Sequence, residues 1–151
     1  MKQYFITGTD TEVGKTYVTC HLLKAAESAQ KTSLGYKPIS AGCEKVGNDW
    51  VNEDASEIQQ ASSIKLPIST INPITFVPPI APHIAAKEAG VTLTSEAVVE
   101  GLVRLQQETP DLLLMEGAGG WRLPLTDTLF LSDVVSDLKM DVILVVGMKL
   151  G

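Results

Sequence analysis

Short apolar strands that alternate with amphipathic helices predict an α/β fold for this chain, a mostly parallel sheet with helices on both faces. Two runs carry the strand half of that prediction. Residues 112–115 (Leu-Leu-Leu-Met) and 142–146 (Val-Ile-Leu-Val-Val) are apolar throughout, as strands covered on both sides are. The third observation lies at the N-terminus, where a β-prone run passes through a Gly-containing turn into helical spacing. The chain has 151 residues, 44% hydrophobic and 20% charged, which is globular rather than disordered or disulfide-rich composition. A chain of that size buries roughly 70% of its unfolded surface, enough for one domain over residues 1–151.

The formal charge of −6 and a pI near 4.8 argue against a protein that neutralises nucleic-acid phosphates or anionic lipid. No cluster of Lys or Arg supplies the basic stripe such partners need. The N-terminus lacks the apolar core of a secretory signal, and the longest apolar run, residues 142–148, is too short to span a bilayer. Cys20 and Cys43 form no CxxC pair and have no metal-ligand spacing with His21 or His83. A cytoplasmic protein with reduced thiols and with neither nucleic-acid nor membrane partners is expected.

Taken in order, residues 4–7 form the first strand and Gly8 ends it. Helical spacing of Val18, Leu22, Ala25, Ala26 and Ala29, with Lys24, Glu27 and Ser28 facing away, predicts a helix over residues 15–30. Residues 32–36 are a second strand, stopped at Lys37-Pro38 because the residue before proline is pushed toward extended geometry. The polar, Gly-containing residues 39–51 read as a loop. Asn52 caps a helix through Ala55, Ile58 and Ala61, with Glu53 and Asp54 in its first turn. The proline-rich residues 67–82 exclude regular helix or central strand and are long enough to suggest a functional loop. Helices follow at residues 83–88 and 95–108, the latter with Val98, Leu102 and Leu105 on one side. Residues 112–115 are a buried strand ended by Glu116-Gly117-Ala118-Gly119-Gly120. Leu131, Val134, Val135 and Leu138 mark another amphipathic helix. Residues 142–146 form the last strand, with a strand-to-helix turn at residues 147–151 and no helix after it, so part of one sheet face is expected to be wet.

The strongest chemical signal is Gly8-Thr9-Asp10-Thr11-Glu12-Val13-Gly14-Lys15-Thr16, set between strand and helix as a phosphate-cradling loop requires. Backbone N–H groups at the helix start favour an anion, the lysine adds positive charge, and the threonine hydroxyl can ligate Mg²⁺. It is a variant of G-x-x-x-x-G-K-[ST], with Thr9 in the first glycine position. Asp54 and Glu116 are candidate magnesium carboxylates, since a nucleotide-bound Mg²⁺ takes one or two of them beside a hydroxyl and phosphate oxygens. Glu116 ends a buried strand, where ligands of open α/β sheets gather, whereas Asp54 is equally explained by the helix dipole. Lys37 also ends a strand and is either a second cation in the same crevice or a surface lysine before a turn. Gly117 to Gly120 allow close backbone approach to a ligand or make a plain turn.

With these residues in place, the chain resembles the dethiobiotin synthetases, which are P-loop NTPase-like. The resemblance rests on residues 8–16, Gly35-Tyr36-Lys37-Pro38, Asn52-Glu53-Asp54, Asn72-Pro73, Pro82-His83, Glu116-Gly117-Ala118-Gly119-Gly120-Trp121 and residues 145–151, in family order across the whole chain. It implies an ATP-dependent ligase of biotin synthesis that closes a ureido ring on diaminopelargonic acid with CO2, by way of a carbamate and its mixed anhydride with phosphate. By position, Glu12, Val13, Gly14, Lys15, Thr16, Tyr17, Asp54, Glu116, Gly117, Ala118 and Gly119 would bind nucleotide. Thr16, Asp54 and Glu116 would surround Mg²⁺, Thr11, Lys37, Ser40 and Ala41 would meet substrate, and Lys37 and Lys15 would be catalytic. A homodimer is implied as well. Two departures stand out: the expected hydroxyl falls on Ser40, leaving Ala41 a backbone contact only, and family members continue beyond Lys149-Leu150-Gly151. The chain is therefore expected to be the N-terminal part of a longer synthetase domain. Two other readings stay open, a partitioning-type ATPase switch and a non-catalytic nucleotide-binding module, although the early lysine of the switch loop is absent at Asp10 and Thr11.

Overall fold

The computed structural model of the chain describes residues 1–148. Its central sheet is made of β2 (Ser33–Tyr36), β7 (Leu112–Glu116), β1 (Lys2–Gly8) and β8 (Asp141–Val145), in that spatial order and all parallel. Register pairs Tyr4 with Leu114 on one side and with Asp141 on the other. All four strands thus present their C-terminal ends at one edge. Between β1 and β2 runs α1 (Lys15–Ser28), and between β7 and β8 runs α6 (Leu131–Asp137). These crossovers leave neighbouring strands toward opposite sides of the sheet. Right-handed crossovers then put α1 and α6 on opposite faces, with a crevice where the two connections diverge.

Strand alternation in β2 shows the layering directly. A side chain on Gly35 would collide with Ile58 of α2 (Glu53–Ala61) and crowd Leu23 of α1. Tyr36, the next residue, points the other way and donates to the Val98 carbonyl of α5 (Ser95–Gln106) at 2.8 Å. Its hydroxyl lies against Gly101, where any Cβ would overlap it, so glycine is required at that helix position. Helices α1 and α2 therefore cover one face and α5 and α6 the other, as the sequence predicts. The core joins Phe5, Ile6, Leu34, Leu113, Leu114 and Met115 of the sheet to Leu23, Ile58, Leu102, Leu105, Val134 and Val135 of the helices.

Several expectations are corrected. Residues 39–51 are not a plain loop: β3 (Ile39–Ser40) pairs in parallel with β6 (Ile74–Thr75), and β4 (Glu44–Val46) forms a hairpin with β5 (Asp49–Val51). The hairpin turns at Gly47-Asn48 with Gly47 at φ 62°, chemistry that a two-residue turn demands and that the sequence displays. The proline-rich stretch likewise holds a single helical turn, α3 (Ile68–Ile71), and the short β6, because its prolines fall outside both. Helix α4 (Pro82–Glu88) begins on its proline, which is tolerated at the first helical position. In α1 the buried residues are Lys15, Thr19, Cys20 and Leu23, whereas Ala25 and Ala29 are exposed. Alanine has little apolar area with which to orient a helix, and Leu23 under β2 decides the rotation instead.

Strand β8 lies at the sheet edge. Val142, Leu144 and Val146 are 43%, 56% and 61% exposed, while Ile143 and Val145 are half-buried, so one side of this apolar strand is uncovered among the described residues. The expected turn over residues 147–151 lies partly outside them. Among the described residues no helix is long and apolar enough to cross a membrane.

Candidate active site

The β1–α1 loop follows from its sequence. Gly14 caps α1 in the left-handed region at φ 105°, a conformation most residues resist, and Glu12 takes φ 59°. The Val13 side chain turns away from the crevice, toward Gly8 and Gly147. The loop backbone is therefore bent over the start of α1, with Lys15 and Thr16 in the first helical turn. Lys15 is buried and donates from Nζ to the Asp10 carbonyl at 3.1 Å. Its pKa is lowered, chiefly by burial and then by the nearby Lys37 ammonium, with Glu116, Asp54 and Asp10 opposing.

Beside this loop opens a cleft of about 790 Å³ at the C-terminal edge of the sheet. Its lining includes Thr11, Glu12, Gly14, Lys15, Thr16 and Tyr17 from the loop and α1. Lys37, Ser40, Ala41 and Asp54 come from the opposite wall, and Ala118 and Gly119 from the turn after β7. Twelve of the fifteen residues named from sequence thus meet in one place. Val13, Gly117 and Glu116 do not line it. A Cβ on Gly117 would strike the Phe5 ring, and Glu116, with 0% exposure, stands behind the cleft floor.

Glu116 is the electrostatic centre. Its Oε1 accepts from Lys37 Nζ at 2.9 Å and from Thr16 Oγ at 2.9 Å, and its Oε2 accepts from Thr19 Oγ at 2.6 Å. Lys37 Nζ also lies 3.5 Å from the half-exposed carboxylate of Asp54 and 3.5 Å from the Gly117 carbonyl. A buried carboxylate and a buried ammonium in low dielectric survive only when paired and hydrogen-bonded, and these two satisfy each other. Lys37 is thus no surface lysine. Asp54 both occupies the first turn of α2 and faces the cleft, so its dipole role and its site role coexist.

Two side chains named from sequence, Asn72 and Asn52, also make long-range bonds that the sequence reading does not contain. Asn72, buried, donates from Nδ2 to the Lys37 carbonyl at 2.7 Å and accepts from Ser40 Oγ at 2.6 Å. Because a carbonyl only accepts, the amide must turn its NH₂ to Lys37, leaving its oxygen to receive the Ser40 proton. Ser40 therefore keeps only acceptor capacity and lies 3.2 Å from Cys43 Sγ. Asn52 caps α2 through Ala55 and donates to the Ala41 carbonyl at 3.1 Å, tying the α2 start to the substrate-side loop. Only the fold reveals these partners, since Asn72 is 35 residues from Lys37. Both cysteines are buried and free among the described residues.

The donor set of Thr16, Asp54 and Glu116 consists of hard oxygens from three segments, which suits Mg²⁺. Among the described residues no three His, Cys, Asp or Glu side chains gather as a self-sufficient metal site. A cation here would complete its shell with hydroxyl and ligand phosphate oxygens, so the residues fit a nucleotide-borne magnesium.

A family profile described as an AAA domain matches residues 2–151. The chain is 66% identical over its full length to an ATP-dependent dethiobiotin synthetase of Alteromonas mediterranea, covering 69% of that protein. It is 46% identical to the enzyme of that name from Pseudoalteromonas translucida and 47% to that of Escherichia coli K12, covering 66% of each. It thus spans about two thirds of the length of these relatives. With the phosphate loop, the two lysines and the two carboxylates brought to one cleft, and with identity of this order across the whole chain, it belongs to the ATP-dependent dethiobiotin synthetase family.

Proposed function

We propose that this chain carries the phosphoryl-transfer half of dethiobiotin synthesis, as a single nucleotide-binding unit within a longer synthetase domain. In this reading the amine of diaminopelargonic acid and CO2 form a carbamate, losing one proton. A carbamate oxygen then attacks the γ-phosphorus of ATP, the bond to the ADP oxygen breaks, and a carbamic-phosphoric anhydride results. The second amine attacks the carbonyl carbon, phosphate leaves with the C–O bond pair, a proton is lost and the ureido ring closes. Bound Mg²⁺ would neutralise charge on the transferring phosphates.

The residues divide this work by position. Lys15 and the backbone of residues 12–16 hold the phosphate chain, and Thr16, Asp54 and Glu116 hold the cation. Lys37 stabilises the charge that develops on the carbamate and the transferring group, where catalysis is mostly positioning and charge neutralisation. Thr11 and the Ser40-Ala41 segment line the substrate end, with Ser40 offering an acceptor to an amine N–H rather than a proton to a carboxylate. Tyr17, exposed beside the loop, flanks the nucleotide. The reading includes a cytoplasmic homodimer.

The observation that carries it is the single Lys37 ammonium bridging toward both Glu116 and Asp54 across the cleft from Lys15. An ammonium at the end of a sheet strand, facing an open pocket rather than set in the loop, suits transfer to a bound acceptor. The test is product formation: diaminopelargonate, bicarbonate, ATP and Mg²⁺ with a chain extended to the length of the relatives, read by mass spectrometry. Dethiobiotin with stoichiometric ADP is expected. ATP hydrolysis indifferent to diaminopelargonate would overturn the proposal in favour of a switch.

A further inference from the structure

We propose that Thr19 is a positioning residue that locks the Glu116 carboxylate so that cation and Lys37 exchange at one oxygen only. The proposal rests on the assignment of Glu116 to a nucleotide-borne cation. Thr16 and Thr19 lie three residues apart and so share one face of α1. Each places its hydroxyl on a different oxygen of Glu116, Thr16 on Oε1 at 2.9 Å and Thr19 on Oε2 at 2.6 Å. Thr19 is fully buried, with its Oγ also 2.9 Å from the Lys15 carbonyl. Of these two acceptors the carboxylate is nearer and charged, and it takes the proton.

The two oxygens consequently differ in what can reach them. Oε1 is shared by Thr16 and Lys37, both of which line the cleft, whereas among the described residues the one side chain bonded to Oε2 is Thr19. A cation entering from the cleft meets Oε1 and competes there with the Lys37 ammonium. Were Oε2 unheld, the carboxylate could rotate to follow Lys37, and the cation would lose its ligand. The Thr19 bond prevents that rotation. With its one proton on the carboxylate, the hydroxyl ties α1 directly to the end of β7.

The test separates cation binding from nucleotide binding. Mn²⁺ is titrated with a non-hydrolysable ATP analogue by electron paramagnetic resonance, and the analogue alone is titrated calorimetrically in EDTA. Thr19→Val keeps the shape and removes the donor. It is expected to weaken Mn²⁺ at least tenfold while leaving metal-free nucleotide affinity within twofold, and Thr19→Ser, which retains the hydroxyl, is expected to restore Mn²⁺ binding. Should Val prevent folding, Thr19→Ala is compared with Thr19→Ser in the same way. Mn²⁺ affinity unchanged in the valine or alanine variant, an equal fall in metal-free nucleotide affinity, or a serine variant as weak as these would each overturn the proposal. Dethiobiotin made normally by a Thr19→Val enzyme with unchanged Mn²⁺ affinity would sink the Thr19 role and leave the synthetase reading standing. Thr19-dependent Mn²⁺ binding in a protein that makes no dethiobiotin would do the reverse.

Discussion

The two walls of the cleft are built in opposite ways. One is contiguous: residues 11–17 supply the loop, the cation Lys15 and the hydroxyl of Thr16 from a single strand-turn-helix unit. The other is composite: Lys37 after β2 is held by Glu116 of β7 and by Asn72, which precedes β6 and also holds Ser40 of β3, while Asp54 of α2 faces the Lys37 ammonium. A contiguous wall depends on local backbone geometry, so its failure should be confined to the ligand it touches. In the composite wall each functional group is held by another segment, so damage there should spread into stability and turnover together.

The largest expected effect is at the composite wall. Lys37→Ala in a chain of family length should reduce kcat by about 10²–10³-fold, the scale for removing a preorganised electrostatic contact, with nucleotide affinity little changed. Steady-state kinetics beside a binding titration check this, and equal losses in both would reassign Lys37 to ground-state phosphate binding.

Next comes the clamp. Asn72→Ala leaves the Lys37 carbonyl unpaired in a buried site and the Ser40 hydroxyl with only the weak Cys43 thiol, so a stability loss of about 1–3 kcal/mol is expected by denaturant unfolding. Turnover should fall with it. A variant of normal stability and reduced turnover alone would make the wall less interdependent than the geometry shows.

At the contiguous wall, Lys15→Ala removes a charge-assisted phosphate contact worth roughly 1.5–3 kcal/mol, a tenfold or greater loss of affinity for an ATP analogue. Its unfolding midpoint should stay close to the parent's, because the ammonium's one bond in the described structure is to the Asp10 carbonyl of its own loop. A large stability loss would erase the contrast between the walls.

The smallest effect is a pH dependence in α1 behind the loop. Burial, aided by Glu57 and Glu116, pushes the Cys20 thiol up from 9.0 to about 11. The folded state therefore favours the neutral thiol. Stability from this source is whole below pH 9 and is lost as pH rises from 9 through 11, by about 1–2 kcal/mol. Melting curves of Cys20→Ala should lack that decline, and a parallel decline in both proteins would assign it elsewhere.

Sequence alone determined what can be encoded within one turn of chain. The apolar runs at residues 112–115 and 142–146 fix parallel strands, the first of them buried, the Gly8 to Thr16 loop fixes a strand-turn-helix phosphate cradle, and Asn52 fixes a helix start, because each depends on neighbours a few residues away. Tertiary structure alone decided which face of α1 is buried, since five small or modest apolar residues gave a plausible stripe while Leu23 and the two threonines on Glu116 set the rotation. It also decided that Lys37 is a buried ion-pair partner rather than a surface lysine, and what Asn72 and Thr19 bind. Their partners are 35 and 97 residues away, and a hydrogen bond across that separation leaves no periodicity or local signature, only a polar residue whose reason appears once the strands are side by side.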